Sequence, residues 1–150
     1  MSGELTPEAL MTKVIRAIAS ARLLCADRDI DGACNRAYHA MFDAARAALL
    51  ATNAPVPPDV GKTHGRLISA FSQHLVKHGP LSLDLGRSLN RAEEIRLVAD
   101  YKGDSVEPED AAEMIGQAEV FIVAICSALM PDFQSPLTPV ELDGSASRQP

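Results

Sequence analysis

Apolar residues recur at Leu10, Val14, Ala17, Ile18, Ala21 and Leu24, close to the 3.6-residue period of a helix with one buried face. Thr6-Pro7-Glu8 marks its start: a capping hydroxyl, a proline suited to the first helical position, and an acid that complements the dipole. The pattern stops near Arg28, and Asp29-Ile30-Asp31-Gly32 reads as a short turn. Asp31 is the expected cap of a second helix running to about Thr52, with Tyr38, Met41, Phe42, Ala45, Leu49 and Leu50 on its core face. Three prolines between Asn53 and Gly61 interrupt the helices. A third helix opens at Lys62-Thr63-His64-Gly65, with Thr63 as a candidate cap, and ends at His78-Gly79-Pro80. A fourth runs from Leu83 to about Tyr101, with Ser82 as a candidate cap. A fifth opens at Glu107-Pro108-Glu109-Asp110 and ends at Pro131. Val120–Leu129 is apolar nearly all round, which predicts burial on more than one side or a contact with a second copy.

No strand or repeat pattern interrupts this series. The expected fold class is all-α, an up-and-down bundle of about five helices over residues 6–130, followed by a disordered C-terminal tail over 131–150. Composition sharpens the packing. The chain is 47% hydrophobic but only 4% aromatic, with no Trp, so alanine and aliphatic side chains must fill the core and the helices must approach closely. Cys25, Cys34 and Cys126 lack a CxxC spacing and sit in apolar helical contexts, which favours buried reduced thiols. The first residues show no signal-peptide pattern. Val120–Met130 is about half the length of a bilayer span, so the expectation is a cytoplasmic protein without a membrane partner.

A formal net charge of −6 argues against broad electrostatic capture of nucleic acid, but leaves room for a local phosphate site. The four histidines form no HExxH or Cys–His metal spacing, and no phosphate-binding glycine loop or nucleophile elbow occurs, so no metal or cofactor is expected. Two clusters stand out. Lys62, His64 and Arg66 gather at a helix start, a place suited to anions. Arg36, His39 and Asp43 form a polar stripe on the second helix, readable as an acid–base or phosphate element or as a salt-bridge set. A third segment closes the fourth helix: Arg96 and Asp100 lie at i, i+4 and project on nearly one face, with Tyr101 rotated to another direction.

Three pieces together carry a resemblance. Asn35-Arg36-Ala37-Tyr38-His39-Ala40-Met41-Phe42-Asp43-Ala44-Ala45-Arg46, then Lys62-Thr63-His64, then Arg96-Leu97-Val98-Ala99-Asp100-Tyr101 resemble the HEPN domain family over roughly residues 10–130. The resemblance implies a helical bundle that forms a symmetric homodimer. It also implies a metal-independent endoribonuclease of the toxin–antitoxin type, with a nucleotidyltransferase as antitoxin. The implied site is a groove at the dimer interface, with Arg96, Asp100 and Tyr101 in catalysis and Arg36, His39, Lys62 and His64 contacting RNA. The alternative is a non-catalytic module of the same family that dimerises and binds a nucleotidyltransferase or a nucleotide. The family's catalytic motif is Arg-x4–6-His, and here Tyr101 occupies the position of that histidine.

Overall fold

The computed structural model describes residues 5–57, 59–101 and 106–137. Five α-helices make up this part of the chain: α1 (Pro7–Ala26), α2 (Ile30–Ala51), α3 (His64–Phe71), α4 (Leu83–Tyr101) and α5 (Pro108–Leu129). The described residues contain no strand, and the all-α bundle expected from periodicity is present. A short 3-10 turn, Val60–Lys62, leads into α3, and a π-helical turn, Ser72–Lys77, follows it.

The bundle is built around α2, which packs against each of the other four helices. Its alanines permit this. Ala33, Ala37, Ala40, Ala44, Ala45, Ala47 and Ala48 are all fully buried, and only small side chains let neighbouring backbones come close on several sides at once. Larger side chains fill the spaces between, with Tyr38, Met41, Phe71, Phe121, Ile122 and Ile125 fully enclosed. Leu50, expected in the core, is 39% exposed in the last turn of α2, where it lines a groove with Leu5 and the loop residues Ala54, Val56 and Pro57.

Helix α5 is long and apolar enough to cross a membrane by length and composition, which the shorter run Val120–Met130 does not suggest. In the bundle it serves as a core helix against α1, α2 and α4. An exposed bidentate pair, Arg22 with Glu119, ties it to α1 at 2.5 and 2.8 Å. Such a surface pair contributes at most about 1 kcal/mol. Beyond α5, residues 131–137 turn back so that Phe133 and Leu137 pack partly against the core. The remainder of the expected tail, 138–150, lies outside the described residues.

The helix ends follow their local chemistry with two differences from expectation. Thr6 caps α1 by accepting from the Ala9 amide at 3.0 Å. The cap of α2 is Asp29, not Asp31: its carboxylate accepts from the Gly32 amide at 3.0 Å, and the helix begins at Ile30. Gly32 leaves room for this, since a β-carbon there would stand 2.5 Å from the Asp29 carboxylate. Thr63 occupies the cap position of α3 but makes no side-chain capping bond. After the π turn the chain reverses at Gly79, whose α-carbon lies so near the His74 carbonyl that a β-carbon would meet it at 2.5 Å.

The Asp29 cap has a measurable consequence. Asp29→Ala lowers stability by about 1 kcal/mol, whereas Asp31→Ala, which removes only a favourable charge near the helix start, costs a few tenths. Urea unfolding of the two variants checks the ranking; equal losses would mean that the cap is misassigned.

Candidate functional site

Three helices bring four polar side chains to one place. From α2 come Tyr38, fully buried, and His39, half-buried; from the first turn of α3 comes His64; from the last turns of α4 comes Arg96, only 9% exposed. The Tyr38 hydroxyl lies 3.0 Å from His64 Nδ1, and Arg96 Nη2 lies 3.4 Å from the same nitrogen. The Arg96 guanidinium also sits over the Tyr38 ring, with Cζ 4.9 Å from the ring centroid. Phe42, one turn beyond Tyr38 on α2, packs on the His64 ring at 4.6 Å between centroids. The His39 ring meets that of His64 edge-on at 6.0 Å.

The arrangement follows from helix geometry. Tyr38 and Phe42 are four residues apart, so both face the start of α3 and together form an aromatic seat for His64. On α4 the side chains of Ile95 and Arg96 diverge by about 100°. Ile95 lines a groove of about 220 Å³ between α2, α4 and α5, beside Met41, Arg91, Asp110 and Met114. Arg96 turns instead toward Tyr38 and His64. Enclosing a guanidinium is costly unless protein groups replace water, and the aromatic face and the imidazole nitrogen do part of that here.

Burial sets the protonation behaviour of the neighbours. It pushes the Tyr38 phenol well above its ordinary value, with the Glu93 charge adding to the effect and Arg96 opposing it, so Tyr38 stays a hydroxyl donor at all working pH. It holds His39 below its ordinary value, helped by the charge of His64 and opposed by Asp43, so His39 is neutral near pH 7. Asp43, half-buried one turn further along α2, is raised by burial, while the positive charges of Lys13, His39, Arg46 and Arg36 pull it down. Cys34, on the same helix, is pushed up to about 11 by burial first and by Asp31 next, which makes it an inert core thiol despite its proximity in sequence to Arg36.

The structure sorts the sequence candidates. His64, His39 and Arg96 come together. Arg36 is exposed, close enough for its charge to reach His39 and Asp43. Among the described residues no ion pair joins Arg36, His39 and Asp43, so the salt-bridge version of that stripe is not formed. Lys62 is exposed in the 3-10 turn, two residues before His64. Asp100 and Tyr101 close the backbone of α4, and their side chains lie outside the described residues, as does Lys102. Two residues escape a sequence reading. Tyr38 fits the apolar stripe of α2 and gives no local sign of pairing with a histidine 26 positions later. Arg46 crosses to Gly61, where a β-carbon would stand 2.9 Å from its Nε. Among the described residues no three His, Cys, Asp or Glu side chains converge as they would around a metal ion.

An all-helical bundle with an arginine enclosed by a tyrosine and a histidine from separate helices defines the class. A HEPN domain model matches residues 7–128, and the chain belongs to the HEPN domain family. It is 36% identical over 122 residues to a UPF0332 protein of Gloeobacter violaceus, covering 79% of this chain and 93% of that one. It is 31% identical over 122 residues to a Methanocaldococcus jannaschii protein named "Putative toxin MJ0605", covering 81% and 87%. A UPF0332 protein of Thermotoga maritima is 35% identical over 107 residues, covering 70% and 76%.

The depressed His39 predicts a pH effect on stability. Below about 6.5 the unfolded chain takes up the His39 proton before the folded one does, so stability falls as pH drops through that window. Asp43 acts in the opposite sense: the folded state keeps its carboxyl proton to higher pH, so its contribution falls as pH rises above about 4. His39→Gln removes the first effect, along with the pull of His39 on Asp43, and flattens the loss of thermal stability between about pH 7 and pH 5. Thermal melts of the two proteins across that range test this.

Proposed function

We propose that the chain is a toxin-type HEPN protein that cleaves RNA without a metal ion, working as a cytoplasmic homodimer restrained by a nucleotidyltransferase antitoxin. The observation that supports it best is the enclosed Arg96 beside two histidines in an otherwise acidic protein. A buried cation costs stability, and such groups persist where they act on a ligand. RNA carries its own nucleophile. The 2′-hydroxyl attacks the adjacent phosphorus, charge grows on the non-bridging oxygens, and the 5′ oxygen leaves. Fixed positive charge and N–H donors near those oxygens lower the barrier. In this reading Arg96, Asp100 and Tyr101 serve the chemistry, and Arg36, His39, Lys62 and His64 hold the RNA backbone. The toxin-named relative adds to this support.

A second reading is favoured by Tyr101 at the position where the motif carries histidine and by the net charge of −6, which suit a binding module that engages a nucleotidyltransferase or a nucleotide without cleaving RNA.

Purified protein incubated with single-stranded RNA in EDTA separates the two. Cleavage that falls by about a hundredfold or more in Arg96→Met supports the first reading, because losing one preorganised charge has an effect of that order. Methionine keeps the buried volume, and circular dichroism checks the fold. No cleavage by the wild type, or cleavage indifferent to the substitution, leaves the binding module.

A further inference from the structure

His64 Nδ1 has two neighbours within reach, the Tyr38 hydroxyl at 3.0 Å and Arg96 Nη2 at 3.4 Å. A guanidinium only donates hydrogen bonds. The contact with Arg96 therefore favours an unprotonated Nδ1, to which the Tyr38 O–H can also donate. With Nδ1 unprotonated, the ring proton of the neutral imidazole sits on Nε2, on the opposite side of the ring from Tyr38 and Arg96. The ring cannot easily turn over, because Phe42 packs on it at 4.6 Å and Tyr38 at 5.4 Å.

We propose that His64 is a tautomer-locked donor that presents Nε2–H to a non-bridging oxygen of a phosphodiester, with Tyr38 as its positioning residue and Arg96 polarising the ring from behind. The cation acts through the imidazole: drawing on the Nδ1 lone pair strengthens the opposite N–H as a donor. This makes chemical use of an arginine that is itself almost closed to ligands. It also returns an imidazole to the side of the arginine in a chain that carries Tyr101 at the motif's histidine position, with the ring supplied by α3 instead of α4. The His39 ring meets that of His64 edge-on, with centroids 6.0 Å apart. The proposal rests on the RNA-directed reading above for the identity of its ligand, while the tautomer is argued from the contacts at Nδ1.

The experiment is nitrogen-detected NMR of the imidazoles in the full, 15N-labelled chain, with the His64 signals identified by their loss in His64→Gln. Spectra are taken at a pH where the ring is neutral, first alone and then with a 2′-deoxy oligonucleotide, which offers the phosphodiester but no nucleophile. The expected result is an acceptor-type resonance at Nδ1, a protonated resonance at Nε2, and a shift of the Nε2–H signal on adding oligonucleotide. Tyr38→Phe keeps the ring beneath Arg96 but removes the hydroxyl, and shifts the spectrum toward a mixture of tautomers. His64→Gln, whose side-chain amide retains an N–H donor, binds the oligonucleotide more tightly than His64→Leu by about tenfold. A protonated Nδ1 in the wild type overturns the proposal. So does an Nε2–H signal unmoved by oligonucleotide, or equal binding by the two His64 variants. If the Nε2–H shift appears but RNA is never cleaved, the donor assignment stands and the ribonuclease reading falls.

Discussion

Everything in this bundle depends on one helix being surrounded. Helix α2 touches all four others, and it can do so because seven of its residues are fully buried alanines. Small side chains bring backbones close, and close backbones leave few gaps for the sparse aromatic side chains to fill. Tyr38 is one of those few, fully enclosed at the level where α3 begins and α4 approaches its end. The packing that stabilises the fold therefore also fixes the ring on which the site is assembled.

The enclosed guanidinium of Arg96 is the counterpart of that packing. In an apolar interior it would be costly, and the protein offsets the cost with the π-face of Tyr38 and the lone pair of His64. Burial holds Tyr38 as a phenol against the opposing charge of Arg96, and in the arrangement proposed above the inner nitrogen of His64 accepts. Around this core, Arg36, Lys62 and Arg66 are exposed, and the charges of Lys13 and Arg46 reach Asp43. The charge reaching the site is mixed, since Glu93 acts on Tyr38 and Asp43 on His39 alongside these cations.

Within the family the histidine of the catalytic motif follows its arginine by a few residues along one segment. The resemblance puts Tyr101 at that position, and the imidazole in contact with Arg96 belongs to His64, 32 residues earlier in the chain. Chemistry depends on which groups meet in space, whichever helix delivers them. The route differs in what it asks of the fold: the pair exists only while α3 and α4 are both docked on α2.

The sequence by itself determined the helices, because apolar period, prolines and glycines are local properties. Four appear close to their expected bounds, while α3 gives way at Ser72 to a π-helical turn before the expected stop at His78-Gly79-Pro80, and the cap of α2 is Asp29 in place of Asp31. It also singled out Arg96, His64 and His39 as separate candidates. That these three meet, that Tyr38 joins them, and that Arg96 faces inward while Ile95 lines another groove were decided only by the tertiary structure. Periodicity states which face of a helix is apolar but not what that face will press against. An arginine at the edge of an apolar stripe can lie along the surface or be drawn inside, and the choice rests with groups on other helices that are ready to replace its water.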